Sequence, residues 1–263
     1  MSKKFAIIGG DLRLTKLAQI LAKEEKQIYI FGMEKEQELE NVPNIKVSKN
    51  LEQALENVDI VISAIPFSRD GVLVNTPLSE NTIKINDLMN LIKNKILIAG
   101  TISNEIHRKY RDVKIIDIMK NEKLAILNTI ATAEGTIKEI IANTQINIHG
   151  SKIMILGFGR VGKTLAKKLD GLSAKITILS KEDEELAWAE AYGYQNIQLN
   201  KIENSIKNYD IIINTIPHIV LQGEILEKVN TNTLLLDLAS GDGGINKKEA
   251  QKNNLKLITA LGL

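Results

Sequence analysis

Short apolar runs alternate with segments of helical spacing along the whole chain. Phe5–Ile8, Ile28–Phe31, Ile60–Ile65, Ile96–Ala99 and Val113–Ile116 are such runs in the first half. Ile153–Leu156, Lys175–Leu179, Ile211–Thr215, Leu234–Leu238 and Leu255–Thr259 are their counterparts in the second. Continuous rather than alternating apolarity is the pattern of parallel strands covered on both faces. Between the runs, Leu14, Leu17, Ala18 and Leu21 share one helical face, and so do Val161, Leu165, Ala166 and Leu169. Strand–helix–strand alternation of this kind predicts an α/β fold built on parallel sheets.

The two halves echo each other. Asp59-Ile-Val-Ile-Ser-Ala-Ile-Pro66 lines up with Asp210-Ile-Ile-Ile-Asn-Thr-Ile-Pro217, and glycine turns follow the first strand of each half, at Gly9-Gly10 and at Gly157-Phe158-Gly159. The expectation is two Rossmann-like parallel-sheet domains with an interdomain cleft. A substrate-type domain spans 1–148, with a linker helix over about 132–147, and a nucleotide-binding domain spans 149–263.

Composition narrows the chemistry. Among 263 residues, 44% are hydrophobic and 25% charged, which fits a globular chain rather than a disordered one. The 34 basic and 32 acidic side chains nearly cancel, to +2, and this argues against a nucleic-acid binder. Cysteine is absent, so thiolate metal sites and cysteine nucleophiles are excluded, and His107, His149 and His218 have no metal-ligand spacing. No apolar run approaches the ~20 residues of a membrane span, and the N-terminal run is too short for a signal peptide; the expectation is a cytoplasmic protein with no membrane partner.

The second half carries the readable motif. Lys152-Ile-Met-Ile-Leu-Gly157-Phe-Gly159-Arg160-Val161-Gly162 is a strand, a G-x-G-x-x-G turn and a helix start. Its glycines suit a tight turn, close approach of a diphosphate, and close helix–strand packing, and the helix N-terminus favours the anion. The next strand ends in Ser180-Lys181, with acids only from Glu182 onward. A hydroxyl and an ammonium suit a 2′-phosphate, so the reading favours NADP, with NAD possible; a solvated loop lysine is the other reading. Asn214, Thr215 and Pro217 end the fourth strand, where the nicotinamide ribose would lie, and Asp237 and Ser240 open a glycine-rich loop suited to close approach. His218 reads either as a proton donor or as a structural loop residue.

The first domain lacks the third glycine, and Arg13 stands where a diphosphate would lie; its fork can hold a substrate carboxylate. Ser68, Arg69, Ser103 and Asn104 follow strands at the same sheet edge, although Ser103 or Asn104 also reads as a helix N-cap. Glu134 reads equally as a general acid/base and as a first-turn acid favoured by the helix dipole.

Taken together, Gly9-Gly10-Asp11 with Arg13, Gly100-Thr-Ile-Ser-Asn104, Ala133-Glu-Gly-Thr-Ile137, Ile148-His-Gly-Ser151, Gly157-Phe-Gly-Arg160, Asn214-Thr-Ile-Pro217, Leu236-Asp-Leu-Ala-Ser240 and Leu261-Gly-Leu263 resemble the family of A-type subunits of dipicolinate synthase from spore-forming bacteria. The resemblance covers essentially the whole chain. It implies NAD(P)-dependent oxidation of a dihydro- or hydroxytetrahydro-dipicolinate, from the lysine pathway, to pyridine-2,6-dicarboxylate during sporulation. It further implies a flavoprotein-like B-type subunit of dipicolinate synthase as partner and the mother-cell cytoplasm as location; a homo-oligomer is left open. Two departures stand out: Ser240-Gly-Asp-Gly-Gly244 replaces the family's Ser-x-Pro-Gly-Gly, and this sequence stops at Leu263, where the family continues into Pro-Gly and a C-terminal helix. Other readings are a different two-domain amino- or hydroxy-acid dehydrogenase, and a non-catalytic nucleotide-binding subunit.

Overall fold

The structure, a computed structural model, describes residues 4–239 and 243–260. It separates into two compact units, Met1–Leu124 and Ala125–Leu263. Each holds one six-stranded, fully parallel sheet.

In the first unit the strands are β1 (Phe5–Ile8), β2 (Ile28–Phe31), β3 (Ile45–Val47), β4 (Ile60–Ser63), β5 (Ile96–Ala99) and β6 (Lys114–Asp117), in spatial order β3-β2-β1-β4-β5-β6. The helices between them are α1 (Leu12–Lys23), α2 (Leu51–Leu55), α3 (Ile85–Leu91) and α4 (Asn104–Lys109). The chain order reverses between β1 and β4, and at such a switch point ligands meet the carboxyl ends of the strands. Successive β1 residues serve opposite faces: Ala6 and Ile8 pack with Phe67, Leu88 and Leu97, while Ile7 packs with Leu14, Ala18 and Ile30. Two covered faces account for the unbroken apolar run.

Helix α5 (Glu122–Asn143) follows, and the unit boundary falls in its first turn. The second unit repeats the plan with β7 (Lys152–Leu156), α6 (Arg160–Gly171), β8 (Lys175–Ser180), α7 (Asp183–Ala191), β9 (Gln195–Gln198), β10 (Ile211–Asn214), α8 (Glu224–Glu227), β11 (Leu234–Asp237), α9 (Lys247–Lys252) and β12 (Lys256–Thr259), in the order β12-β11-β10-β7-β8-β9. Ile153 and Ile155 face α5 and α6, through Ile140, Leu165 and Leu169, whereas Met154 and Leu156 face Leu226, Leu235 and Ala250.

The Asp59/Asp210 echo has a structural cause. Asp59 accepts the Lys4 backbone N–H at 3.2 Å and Asp210 accepts that of Lys152 at 2.8 Å, so each aspartate ties the start of a fourth strand to the start of the first. The edge strands β3 and β9 carry no apolar run and had no sequence signal, because most of their side chains are exposed. Among the described residues no helix is long and apolar enough to cross a membrane.

Candidate functional site

The two glycine turns are built differently. After β7, Gly157 adopts φ +86°, and a side chain there would meet Thr215 Oγ1 at 2.7 Å. Gly162 sits one turn into α6, where a Cβ would stand 2.3 Å from the Gly157 carbonyl oxygen, so helix and strand approach as closely as glycine allows. The Phe158 side chain is buried edge-on against Tyr192 and Tyr194, with ring centroids 6.1 Å away in each case, which pins the loop from below. Gly159 caps α6 without any side-chain hydrogen bond, and the first turn holds no acid. The open, positive end of a twelve-residue helix therefore faces the turn.

After β1 the corresponding end is closed. The Asp11 carboxylate accepts the Arg13 backbone N–H at 3.0 Å and caps α1. A Cβ on Gly10 would strike Leu14 at 2.4 Å, and the Gly10 N–H donates to Asn75 O at 3.0 Å. The chain's own carboxylate and backbone thus fill the place that a diphosphate takes in a dinucleotide site.

Around the second turn lies a depression of about 420 Å³ lined by Gly157, Gly159, Arg160, Val161, Ser180, Lys181, Glu185, Thr215, Pro217 and His218, among others. All of these except Glu185 were expected from the sequence, and they converge there. His218 is exposed on the loop after β10. A larger depression of about 660 Å³, lined by Lys163, Lys167, Lys168, Tyr192 and Tyr194, has neither a glycine turn nor a helix N-terminus at its wall.

Several expected cofactor contacts also make hydrogen bonds within the protein. Asn214 is fully buried; its Nδ2 donates to Ile216 O at 2.9 Å and to Asp237 Oδ1 at 2.8 Å. The Asp237 carboxylate also accepts the N–H groups of Ala239, Gly244 and Ile245. Thr215 donates to Leu156 O at 2.8 Å. Buried polar groups are satisfied in this way because leaving them unpaired is costly. Ser180 is likewise buried, and its hydroxyl donates to Glu185 Oε2 at 2.6 Å. Ser240 lies outside the described residues.

Glu185 is the residue that sequence reading missed. It extends from the first turn of α7 to the glycine turn, where Oε2 also accepts the Phe158 N–H at 2.8 Å. The acidic run Glu182–Glu185 was visible, but nothing in it told which acid reaches back. Lys181 is exposed and pairs with Glu182 at 3.4 Å.

In the first unit, hydrogen bonds Gly10 N–H to Asn75 O, Asn75 N–H to Phe67 O and Phe67 N–H to Gly100 O join the loops that follow β1, β4 and β5. Arg13 lies here, but Nε and Nη2 are held by Asp11, and Nη2 also donates to Ile65 O at 2.5 Å. Partial burial disfavours the Asp11 carboxylate, yet the hydrogen bonds and charge of Arg13 outweigh this and leave the carboxyl below its usual value. The Asp11 carboxylate in turn raises the pKa of Arg13. Ser68 closes its own turn, donating to Leu73 O and accepting the Gly71 N–H, and Arg69 is exposed with Nε 3.4 Å from Asn75 Oδ1. Ser103 is the α4 N-cap, and Asn104 is exposed at the first helical position. Thr101, between them and β5, holds φ +57°, with its N–H and that of Ile102 donated to the Asp117 carboxylate at 3.0 Å each. In the second unit, Glu134 pairs with Lys168 on α6 at 2.8 Å. Lys168 stands eight positions, about 12 Å, along α6 from Arg160 at its open end.

Comparison with known proteins supplies the context. Residues 4–121 match the family described as the N-terminal domain of the dipicolinate synthase A-type subunit, and residues 118–245 match the NAD binding domain of D-isomer specific 2-hydroxyacid dehydrogenases. The A-type subunit of dipicolinate synthase from Bacillus subtilis (strain 168) is 30% identical over 265 residues, covering 99% of this chain and 88% of that protein. The crystal structure of the Bacillus halodurans A-type subunit superposes with a TM-score of 0.86 at 28% identity, over 99% of this chain and 90% of that one. The Bacillus subtilis structure gives 0.82 at 28% identity, over 100% and 89%. A transhydrogenase from Sinorhizobium meliloti, 13% identical with a TM-score of 0.65 over 97% of this chain and 86% of that one, shares the fold. With two parallel Rossmann-type sheets and a nicotinamide-nucleotide domain of the dehydrogenase type, this chain belongs to the family of dipicolinate synthase A-type subunits.

Proposed function

We propose that this chain oxidises a cyclic dihydro- or hydroxytetrahydro-dipicolinate to pyridine-2,6-dicarboxylate, acting with a flavoprotein-like B-type subunit in the mother cell of a sporulating bacterium. The observation that carries the reading is the asymmetry of the two glycine turns: α6 presents an uncapped N-terminus to an open depression, whereas α1 is sealed by Asp11. The first suits a dinucleotide diphosphate and the second does not. A bound nicotinamide would accept the hydride from a ring C–H; one proton leaves the ring, and the hydroxylated precursor also loses water.

The chain's own residues divide the remaining work. Gly157, Gly159, Arg160 and Val161, which line the depression at the start of α6, would hold the diphosphate. Of the two proton-transfer candidates, His218 is favoured, since it lines the same depression, while Glu134 is engaged with Lys168. Arg69 and Asn104 supply exposed polar contacts for the substrate carboxylates. Arg13, braced by Asp11, offers them only its remaining Nη1 edge, and Ser68 and Ser103 shape the loops. The test is the rise in reduced-nicotinamide absorbance when purified chain meets freshly generated hydroxytetrahydrodipicolinate and NAD⁺ or NADP⁺, with and without the B-type subunit. A rise under either condition is expected; none under both overturns the reading.

A further inference from the structure

The depression of about 660 Å³ in the second unit plays no part in the reading above. Lys163, Lys167 and Lys168 reach it from two turns of α6, and Tyr192 and Tyr194 from the connection between α7 and β9. Its volume is that of a small-molecule site. It shares no lining residue with the depression at the glycine turn.

The aromatic rings here form a cluster that is only half inside the protein. Phe158 is fully buried, and Tyr192 and Tyr194 stand edge-on to it. Yet Tyr192 is 53% exposed, and Trp188, whose ring centroid lies 5.6 Å from that of Tyr192, is 43% exposed. Two adjoining large rings left in water beside a depression mark a binding surface.

The cations differ in how they are held. Lys168 pairs with Glu134 at 2.8 Å and Lys167 with Asp170 at 3.6 Å. Lys163 has no acid partner among the described residues; its ammonium lies 5.5 Å from the Trp188 ring centroid and 5.9 Å from that of Phe158. A cation resting on ring faces keeps its other side open to an anion. Burial, with the charges of Asp170 and Tyr192, raises the pKa of Tyr194 and keeps its hydroxyl a donor.

We propose that this depression is an accessory site for a planar aromatic carboxylate, with the acid group on Lys163 and the ring against Tyr192 and Trp188. Pyridine-2,6-dicarboxylate has this chemistry, and its choice as ligand rests on the reaction proposed above, of which it is the product. Its second acid group can draw on Lys167, whose pair with Asp170 is solvent-exposed and weak. An aliphatic diacid satisfies the same lysines but leaves the rings in water, so the site discriminates between the two. The Phe158 ring packs beneath this cluster while its backbone belongs to the glycine turn, which places the accessory site directly behind the nucleotide turn.

Trp188 is the single tryptophan of the chain, so its fluorescence reads occupancy of this depression and no activity is needed. Titration of the full chain with pyridine-2,6-dicarboxylate, in metal-free buffer and corrected for ligand absorbance, is expected to give a saturable change in emission. Glutarate should bind at least about tenfold more weakly. Lys163→Gln and Tyr192→Ala should each weaken the aromatic ligand by about tenfold, in calorimetry as in fluorescence. Lys163→Gln removes only the charge and serves should Tyr192→Ala fail to fold. No saturable change, an affinity untouched by Lys163→Gln, or glutarate binding as tightly overturns the site. Turnover without a response at Trp188 removes this site and leaves the proposed reaction; a response without turnover keeps the site and removes the reaction.

Discussion

Asn214 donates from Nδ2 to Asp237 Oδ1 across 2.8 Å, and both side chains are fully buried between the ends of β10 and β11. The pair explains the glycines beyond it: a Cβ on Gly243 would meet Asp237 Oδ2 at 2.4 Å, and one on Gly244 would meet Asn214 Nδ2 at 2.2 Å. These glycines are there to let backbone close over a buried polar pair. Through the N–H groups of Gly244 and Ile245 the backbone here is tied to the end of β11.

Removing the carboxylate should expose that dependence. Asp237→Ala leaves the Asn214 amide and the N–H groups of Ala239, Gly244 and Ile245 without their acceptor. A loss of about 3 kcal/mol is expected in urea denaturation, with Asp237→Asn also destabilising because an amide donor then faces donors.

Gly159 and Gly162 should separate binding from stability. Gly162→Ala drives a methyl into the Gly157 carbonyl and is expected to cost about 2 kcal/mol of stability. At Gly159 the nearest atom among the described residues is 3.9 Å away, so alanine costs only the poorer helix cap, about 1 kcal/mol or less, while filling the path of the proposed diphosphate. Thermal unfolding and nucleotide titration on the two variants should therefore give opposite profiles.

The Asp11–Arg13 pair predicts an acid-dependent term. Partial burial raises the Asp11 pKa, but the hydrogen bonds and charge of Arg13 more than compensate and leave the carboxyl below its ordinary range. A carboxyl with a depressed folded-state pKa stabilises fully above its unfolded value and loses that contribution as pH falls through the folded value. Asp11→Asn keeps a competent helix cap and removes only the charge. It should cost at most about 1 kcal/mol at pH 7, since both side chains are partly solvated, and less at pH 3. Urea midpoints at the two pH values check this.

Thr101 is a β-branched residue at φ +57°, a conformation that its side chain resists. Thr101→Gly should stabilise the first unit by about 1 kcal/mol, seen as a higher urea midpoint. A simultaneous fall in turnover would mark the strained loop as part of the substrate site.

The amino-acid pattern by itself determined the two parallel sheets, because a strand buried on both faces must be apolar throughout, as Ile153–Leu156 is. It also revealed the repeat through Asp59 and Asp210 and the nucleotide turn through Gly157, Gly159 and Gly162, since each meets a local backbone demand. The edge strands β3 and β9 escaped it, having only one covered side chain or so to leave a trace. Only the tertiary structure decided which polar side chains are engaged by the protein itself and which line the open depression. Asn214, Asp237 and Ser180 look like ligand contacts in sequence, yet their partners come from other strands and helices. Glu185 is the converse: four consecutive acids are indistinguishable along the chain, and the packing of α7 against β8 brings one of them to the glycine turn.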